Sequence, residues 1–484
     1  MSVNNVFFQE SDGDLFVSPD KVYPAAVKGR FRRLKWVLLF LTLGIYYALP
    51  FLRWHREGGA PDQAVLLDFA HQRLYFFFVE IWPQDFFYIT GILIIAAFAL
   101  FLANAISGRV WCGYLCPQTV WTDLFRVVER VFQGERREQM KRDAGAASID
   151  LIWRKAATWA VWLVIGVGTG GAWVLYFVDA PTLVREIVSG DAPALAYIWI
   201  AILTTTTFFL GGFYREQVCM WMCPWPRIQA ALTDEWALNI SYRVDRGEPR
   251  GSLKDNERLR ADGANAGDCI DCRQCVAVCP TGVDIRQGLQ MGCIQCGLCI
   301  DACDSVMTKI GQPTGLIAYD TDINIQRREQ GLMPVFKLIR ARTVIYVALI
   351  LLTATVMVTV YANRATIGLN VLHDRNPLHV VMSDGSIRNA YTIRILNKSD
   401  RPRHLDLALA EGPKATLSAN GESLRYGAAL SFDVGADQTF EARVFLTAPQ
   451  ADVSARSTPV VFRLTAEDPA GAEISETRDF FDAP

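Results

Sequence analysis

Five stretches of this 484-residue chain contain no Asp, Glu, Lys, Arg or His: Trp36–Leu52, Phe86–Ile106, Ala156–Val178, Ala192–Phe213 and Thr343–Ala362. No other feature constrains the fold as tightly, because a helix needs about 20 apolar residues to cross a bilayer core of about 30 Å. Four blocks reach that length, and the first gains it from its interfacial flanks. Buried helices of a large soluble core are the alternative. Five separate blocks weigh against it, as does a charged fraction of 20% where soluble domains average about 25%. The net charge of −2 leaves no basic footprint for nucleic acid.

Lys and Arg in the flanks set the expected orientation. Lys28, Arg30, Arg32, Arg33 and Lys35 precede the first block, and Arg109, Arg126, Arg130, Arg136, Arg137, Lys141 and Arg142 follow the second. The stretch between the fourth and fifth blocks is also rich in Arg. The other two loops are poor in basic residues. The N-terminus, the second loop and the fourth loop are therefore expected in the cytoplasm, and residues 363–484 outside. The first thirty residues are polar and lack the pattern of a cleavable leader, so the first span is expected to stay in the protein.

The tail reads as strands. Tyr391, Ile393 and Ile395 alternate with polar neighbours, as do Leu405, Leu407 and Leu409, then Phe440, Ala442, Val444 and Leu446, then Val460, Phe462 and Leu464. Turn signals at Asn397–Asp400 and Asn420–Gly421 separate them. About seven short strands without a cysteine suggest an immunoglobulin-like sandwich that holds without a disulfide.

Twelve cysteines stand against five histidines. Eight of the cysteines form two runs. Cys269, Cys272, Cys275 and Cys279 follow C-x2-C-x2-C-x3-C-P, and Cys293, Cys296, Cys299 and Cys303 repeat it without the proline. This is the spacing of a bacterial ferredoxin with two [4Fe–4S] clusters, in which the fourth cysteine of each run reaches the other cluster. One cluster is thus expected on Cys269, Cys272, Cys275 and Cys303, the other on Cys293, Cys296, Cys299 and Cys279. Disulfides are disfavoured by a cytoplasmic location, and zinc does not call for eight ligands at this spacing. The linker near Arg243–Arg260 is expected to brace the insert. Two adjacent clusters make a one-electron wire without a substrate pocket.

The other four cysteines form matched pairs. Cys112 and Cys116 with Pro117 follow the second block, and Cys219 and Cys223 with Pro224 follow the fourth. In a helix, cysteines at i and i+4 share a face, and each proline is expected to break the helix. Three readings stay open: buried structural cysteine, a third iron–sulfur cluster, or copper, since soft sulfur ligands select Cu(I). Met220 and Met222 add thioethers to the second motif. No histidine lies in a span, which removes membrane haem b. His55, His71, His373, His379 and His404 read as ordinary, with His373 and His379 the one pair worth testing for outer metal.

On these residues the chain resembles the cytochrome c oxidase accessory protein family CcoG, also called FixG or RdxA. The resemblance covers nearly the whole chain. It rests on Val22-Tyr23-Pro24, Ile81–Phe86, Trp111–Gln118, Met222–Arg227, the twin ferredoxin run, Gly315–Asp320 and the sandwich tail. It implies a multi-domain membrane protein: a five-helix α-helical transmembrane bundle, a bacterial-type 2[4Fe–4S] ferredoxin insert and a C-terminal all-β immunoglobulin-like sandwich. The divisions expected are 1–35, 36–240 with the first four spans, 241–342 for the insert, 343–362 for the fifth span and 363–484 for the outer domain. The family further implies residence in the bacterial inner membrane and reduction of Cu(II) to Cu(I) for the copper centre of a cbb-type haem-copper oxidase. Cys112, Cys116, Cys219 and Cys223 are then the expected copper site and seat of reduction. The partners implied are a cytoplasmic electron donor, a copper chaperone or transporter, and oxidase subunits or assembly factors, with a homodimer as the default oligomer. The alternatives are a relay between a quinol pool and another reductase, like the respiratory polyferredoxins, and a non-enzymatic assembly scaffold.

Overall fold

The computed structural model describes residues 21–484, apart from 57–59, 400, 420–421, 424–426, 454 and 469–470. The leader expectation, most of the 1–35 segment and the Asn420–Gly421 turn lie outside the described residues. The chain forms two compact units. One takes in the described residues up to Leu52 together with Gln63–Met357, and the other Arg53–Asp62 together with Val358–Pro484.

The first unit contains helices long and apolar enough to cross a membrane at Arg30–Phe51, Phe87–Ser107, Ile149–Val174 and Ala194–Met222, and a fifth, Ala341–Ala362, leads out of it. The third and fourth pack closely because Gly166 and Gly170 bring no side chain to the contact. A Cβ on Gly166 would stand 3.2 Å from the Thr204 carbonyl, and one on Gly170 2.8 Å from that of Ile200, the small-residue packing expected where lipid offers no hydrophobic drive.

The fourth helix differs from expectation. Its charge-free block ends at Phe213, but the helix runs on to Met222 through two π-turns, Leu210–Tyr214 and Val218–Met222. Buried ion pairs permit this. Arg215 pairs with Glu129 at 2.9 Å and Glu216 with Arg126 at 3.2 Å, both from the amphipathic helix Pro117–Gln133. The charges that ended the apolar block are neutralised by a neighbouring helix, so the helix continues.

The cysteine-rich insert is closed by an antiparallel pair of strands, Asn239–Tyr242 with Ile317–Asp320. The Arg-rich linker braces it as expected. Arg246 and Arg260 both pair with Asp268, and Asn256 Nδ2 donates to the Cys269 carbonyl at 3.1 Å. A second brace comes from ahead of the first span. Ala25 N–H donates to the Ala277 carbonyl, and the Phe31 and Arg32 N–H groups donate to the Asp301 carboxylate at 3.2 and 2.8 Å. Asp301 thereby caps the first spanning helix, where unsatisfied N–H groups favour a carboxylate.

The second unit contains a two-sheet sandwich. One sheet orders Glu422–Ser423, Thr416–Ala419, Gln438–Ala448, Ile387–Asn397 and Ile367–His373, with Val380–Val381 also paired to Ile387–Asn397. The other orders Leu430–Val434, Arg403–Glu411, Ser457–Asp468 and Gly471–Asp482. The alternating residues point inward: Tyr391, Ile393, Ile395, Leu405, Leu407, Val444, Leu446, Phe462 and Leu464 are buried in one core.

Candidate metal centres

The two ferredoxin runs share a backbone device. Asp271 (φ 48°) and Arg273 (φ 54°) flank Cys272, and Gln295 (φ 55°) and Gly297 (φ 76°) flank Cys296. Each run therefore makes left-handed turns on both sides of its second cysteine. For a non-glycine residue this costs about 1–2 kcal/mol, and it persists only where the surroundings impose it. A helix then starts in each run, Gln274–Ala277 and Leu298–Lys309, the second carrying Cys299 and Cys303.

The thiols fall into two sets. Burial pushes Cys293 up to about 12, with Cys279 and Cys296 adding repulsion. Burial likewise raises Cys299 well above the usual thiol range, with Cys296, Cys293, Cys279 and Cys275 adding repulsion. These four, with Cys275, line one cavity. Cys303 is pushed up to about 12 by burial and then by Cys275, Cys272 and Cys269. Cys275 reaches both groups, lining the cavity and adding repulsion to Cys299 as well as to Cys303. Four soft thiols crowded in a dry site ionise together only around cationic metal, so the donor set fits an iron–sulfur cluster in each place. Cys272 is exposed, whereas Cys293 and Cys296 are buried.

The C-x3-C-P pairs converge although about a hundred residues separate them. Burial pushes Cys112 up to about 12, and Cys116, Cys219 and Cys223 all add repulsion to it. The two motifs also share a turn: Cys116 N–H donates to the Trp111 carbonyl at 2.9 Å and Cys223 N–H to that of Val218 at 2.8 Å, each five residues back. Pro117 then opens the helix Pro117–Gln133, as a residue with fixed φ and no N–H does at a first turn, and Pro224 stands just before the helix Trp225–Leu232. The Cys112 thiol donates to Gln229 Oε1 at 3.1 Å. Met222 is 58% exposed, and the Met220 thioether lies beside Gly292. Among the described residues no three His, Cys, Asp or Glu side chains close around a point as one ion requires.

The quartet sits against the insert. Cys112 and Cys296 belong to one buried apolar cluster with Val278, Ile294, Leu298 and Ala302. A Cβ on Gly113 would come within 2.7 Å of the Ile294 carbonyl and 3.1 Å of that of Gln295, so glycine lets the loop seat on the motif. Tyr114 Oη donates to the Cys296 carbonyl at 3.1 Å. Arg109 is buried, its guanidinium donating to the Met291 and Cys293 carbonyls.

Sequence reading counted Arg109 only as a flank charge and passed over Gly113, Gln229 and Asp301. The available signal was the placement of Arg109 and Gly113 around Cys112. Of the histidines, His71 meets Asp68, His404 meets Asp433, and His373 meets the carbonyl of Leu378, the residue before His379.

Three family models match. A 4Fe–4S dicluster domain covers residues 214–322, a 4Fe–4S binding domain covers 88–133 and 192–234, and the IG-like fold at the C-terminus of FixG covers 357–484. The second takes in all four C-x3-C-P cysteines. The nitrogen fixation protein FixG of Rhizobium meliloti is 45% identical over 98% of this chain and 94% of its own length. Protein RdxA of Cereibacter sphaeroides is 44% identical over 95% of this chain and 96% of its own. A FixG-related protein from Vibrio parahaemolyticus, known by crystal structure, aligns with 24% of this chain and 95% of its own at 20% identity and a TM-score of 0.20.

Proposed function

The chain belongs to the FixG/RdxA family, and from that premise we propose that it is an electron-transfer metalloreductase that converts Cu(II) to Cu(I) for the copper centre of a cbb-type haem-copper oxidase. That it carries electrons follows from its 4Fe–4S domains. The rest is supported by one observation above all: Cys112 of the helix-end quartet and Cys296 of the insert share a buried cluster.

The residues that would hold the clusters are Cys269, Cys272, Cys275 and Cys303 in one set and Cys279, Cys293, Cys296 and Cys299 in the other. Bound there, such clusters supply one-electron transfer at a potential set by nearby charge and hydrogen bonds. Cys272, exposed, is where a one-electron donor approaches. Cys296 and Cys112 exclude water between the insert and the quartet. Cys112, Cys116, Cys219 and Cys223 receive the electron, with Met220 and Met222 as flanking thioethers. Cu(II) gains one electron and becomes Cu(I), the state that thiolates and thioethers prefer. The basic flanks support an inner-membrane orientation with the insert in the cytoplasm and the sandwich in the periplasm, where oxidase subunits or a copper chaperone would meet it.

A second reading keeps the reaction and changes the quartet's occupant to a third iron–sulfur cluster. The match of a 4Fe–4S model to 88–133 and 192–234 favours it. Anomalous scattering at the iron and copper edges, on anaerobically purified protein, separates the two. Changing Cys116 and Cys223 to Ser is expected to abolish Cu(II) reduction while the ferredoxin-type EPR signals remain. Reduction that survives the change overturns the assignment of the quartet.

A further inference from the structure

Arg109 is a buried cation without a carboxylate. It is 4% exposed. Its Nη1 donates to the Met291 carbonyl and, at 3.3 Å, to that of Cys293, and its backbone N–H donates to Gln295 Oε1 at 2.9 Å. No Asp or Glu among the described residues pairs with it. The anion-forming groups whose charge reaches it are the thiols of Cys293, on the insert, and Cys112, on the quartet. A guanidinium stays charged in proteins, and burying one unpaired is costly. The site is therefore built to contain negative charge on both sides of Arg109.

The other cysteine set is treated differently. Its neighbouring cation, Arg286, is cancelled by Asp284 at 2.6 Å and by Asp271. Among the described residues every other buried cation at the seam between insert and helices is also paired: Lys35 with Asp123 at 2.7 Å, Arg126 with Glu216 and Arg215 with Glu129. Arg109 alone among these keeps its charge uncompensated.

We propose that Arg109 sets the direction of electron flow, by holding the Cys279/Cys293/Cys296/Cys299 site at a higher reduction potential than the Cys269/Cys272/Cys275/Cys303 site and by tying the first to the quartet. The proposal rests on the assignment of clusters to these cysteines. Reduction adds one negative charge to a site that is already anionic, so an uncompensated cation beside it favours the reduced state. At the other site Asp284 and Asp271 cancel that advantage. One electron leaves the Cys269/Cys272/Cys275/Cys303 site, which is oxidised by one unit, and arrives at the Cys279/Cys293/Cys296/Cys299 site, which is reduced by one. No bond changes and no proton moves. Arg109 acts through the cysteine sites and is a positioning residue.

The test is a redox titration of the intact, anaerobically purified protein followed by EPR. The wild type should show two one-electron couples at different potentials, and equal potentials overturn the proposal. Arg109→Gln should lower the higher couple by about 59 mV or more, a tenfold change in its equilibrium, and leave the lower one in place. Arg109→Lys, which keeps the charge, should restore most of the gap. With both signals present, an Arg109→Gln protein whose couples do not move, or move together, overturns the proposal. Should Arg109→Gln lose iron, Asp284→Asn decides: freeing Arg286 should raise the lower couple and narrow the gap, and an unchanged gap overturns the argument from compensation. A wild type without iron, or with fewer than two signals, removes the cluster assignment itself and is recognised before any variant is made.

Discussion

The cysteine-rich insert and the C-terminal sandwich bury their cores by opposite means. Among the described residues the sandwich core holds 24 buried side chains, aliphatic and aromatic throughout, and no cysteine. The main core of the insert holds 12, of which Cys269, Cys275, Cys293 and Cys303 are four, with Cys279 and Cys299 packed beside them. Strands with a period of two need only water to drive them together. Left-handed turns around buried, mutually repelling thiols need a cation to offset the strain and repulsion. The lesson is that one part of the chain carries its own folding energy, while the other borrows it from metal and from the helices it rests on.

That contrast can be broken most directly by removing iron. Structural metal sites contribute on the order of 10 kcal/mol to folding, so stripping iron should remove hydrogen-exchange protection from residues 241–342 and leave that of 363–484 intact. An insert still protected without iron would erase the contrast. Next in size, Phe462→Ala should cost about 3–5 kcal/mol by leaving a cavity in the sandwich. Calorimetry should show the loss, with iron content unchanged. Gly113→Val should cost about 1–3 kcal/mol through overpacking against the Ile294 and Gln295 carbonyls. It should weaken the seating of the insert, read as slower Cu(II) reduction with both ferredoxin-type signals retained. The smallest effect is expected from Asp301→Ala, about 0.5–2 kcal/mol for a lost helix cap, seen as faster proteolysis ahead of the first span.

Much of this architecture was legible in the residues. Charge-free blocks locate the spans, because insertion in lipid depends on local composition. The twin C-x2-C-x2-C-x3-C runs mark the insert as a 4Fe–4S domain, because ligand spacing is imposed within a few residues. The end of the fourth helix was not legible. Arg215 and Glu216 look like a boundary until Glu129 and Arg126 are seen opposite them. The bracing by the 21–32 segment was missed for the same reason: Asp301 lies 270 residues from the N–H it caps.

The sequence alone determined the number of apolar spans, the two-cluster motif and the alternation of the sandwich strands, each a pattern of neighbouring residues with a local physical cause. Only the tertiary structure decided that the C-x3-C-P pairs meet, that Cys112 and Cys296 share one core, and that Arg109 stands between them without a counter-ion. Those facts concern charges and thiols far apart in the chain, and their energies depend on distance and burial in space, which spacing along the chain does not encode.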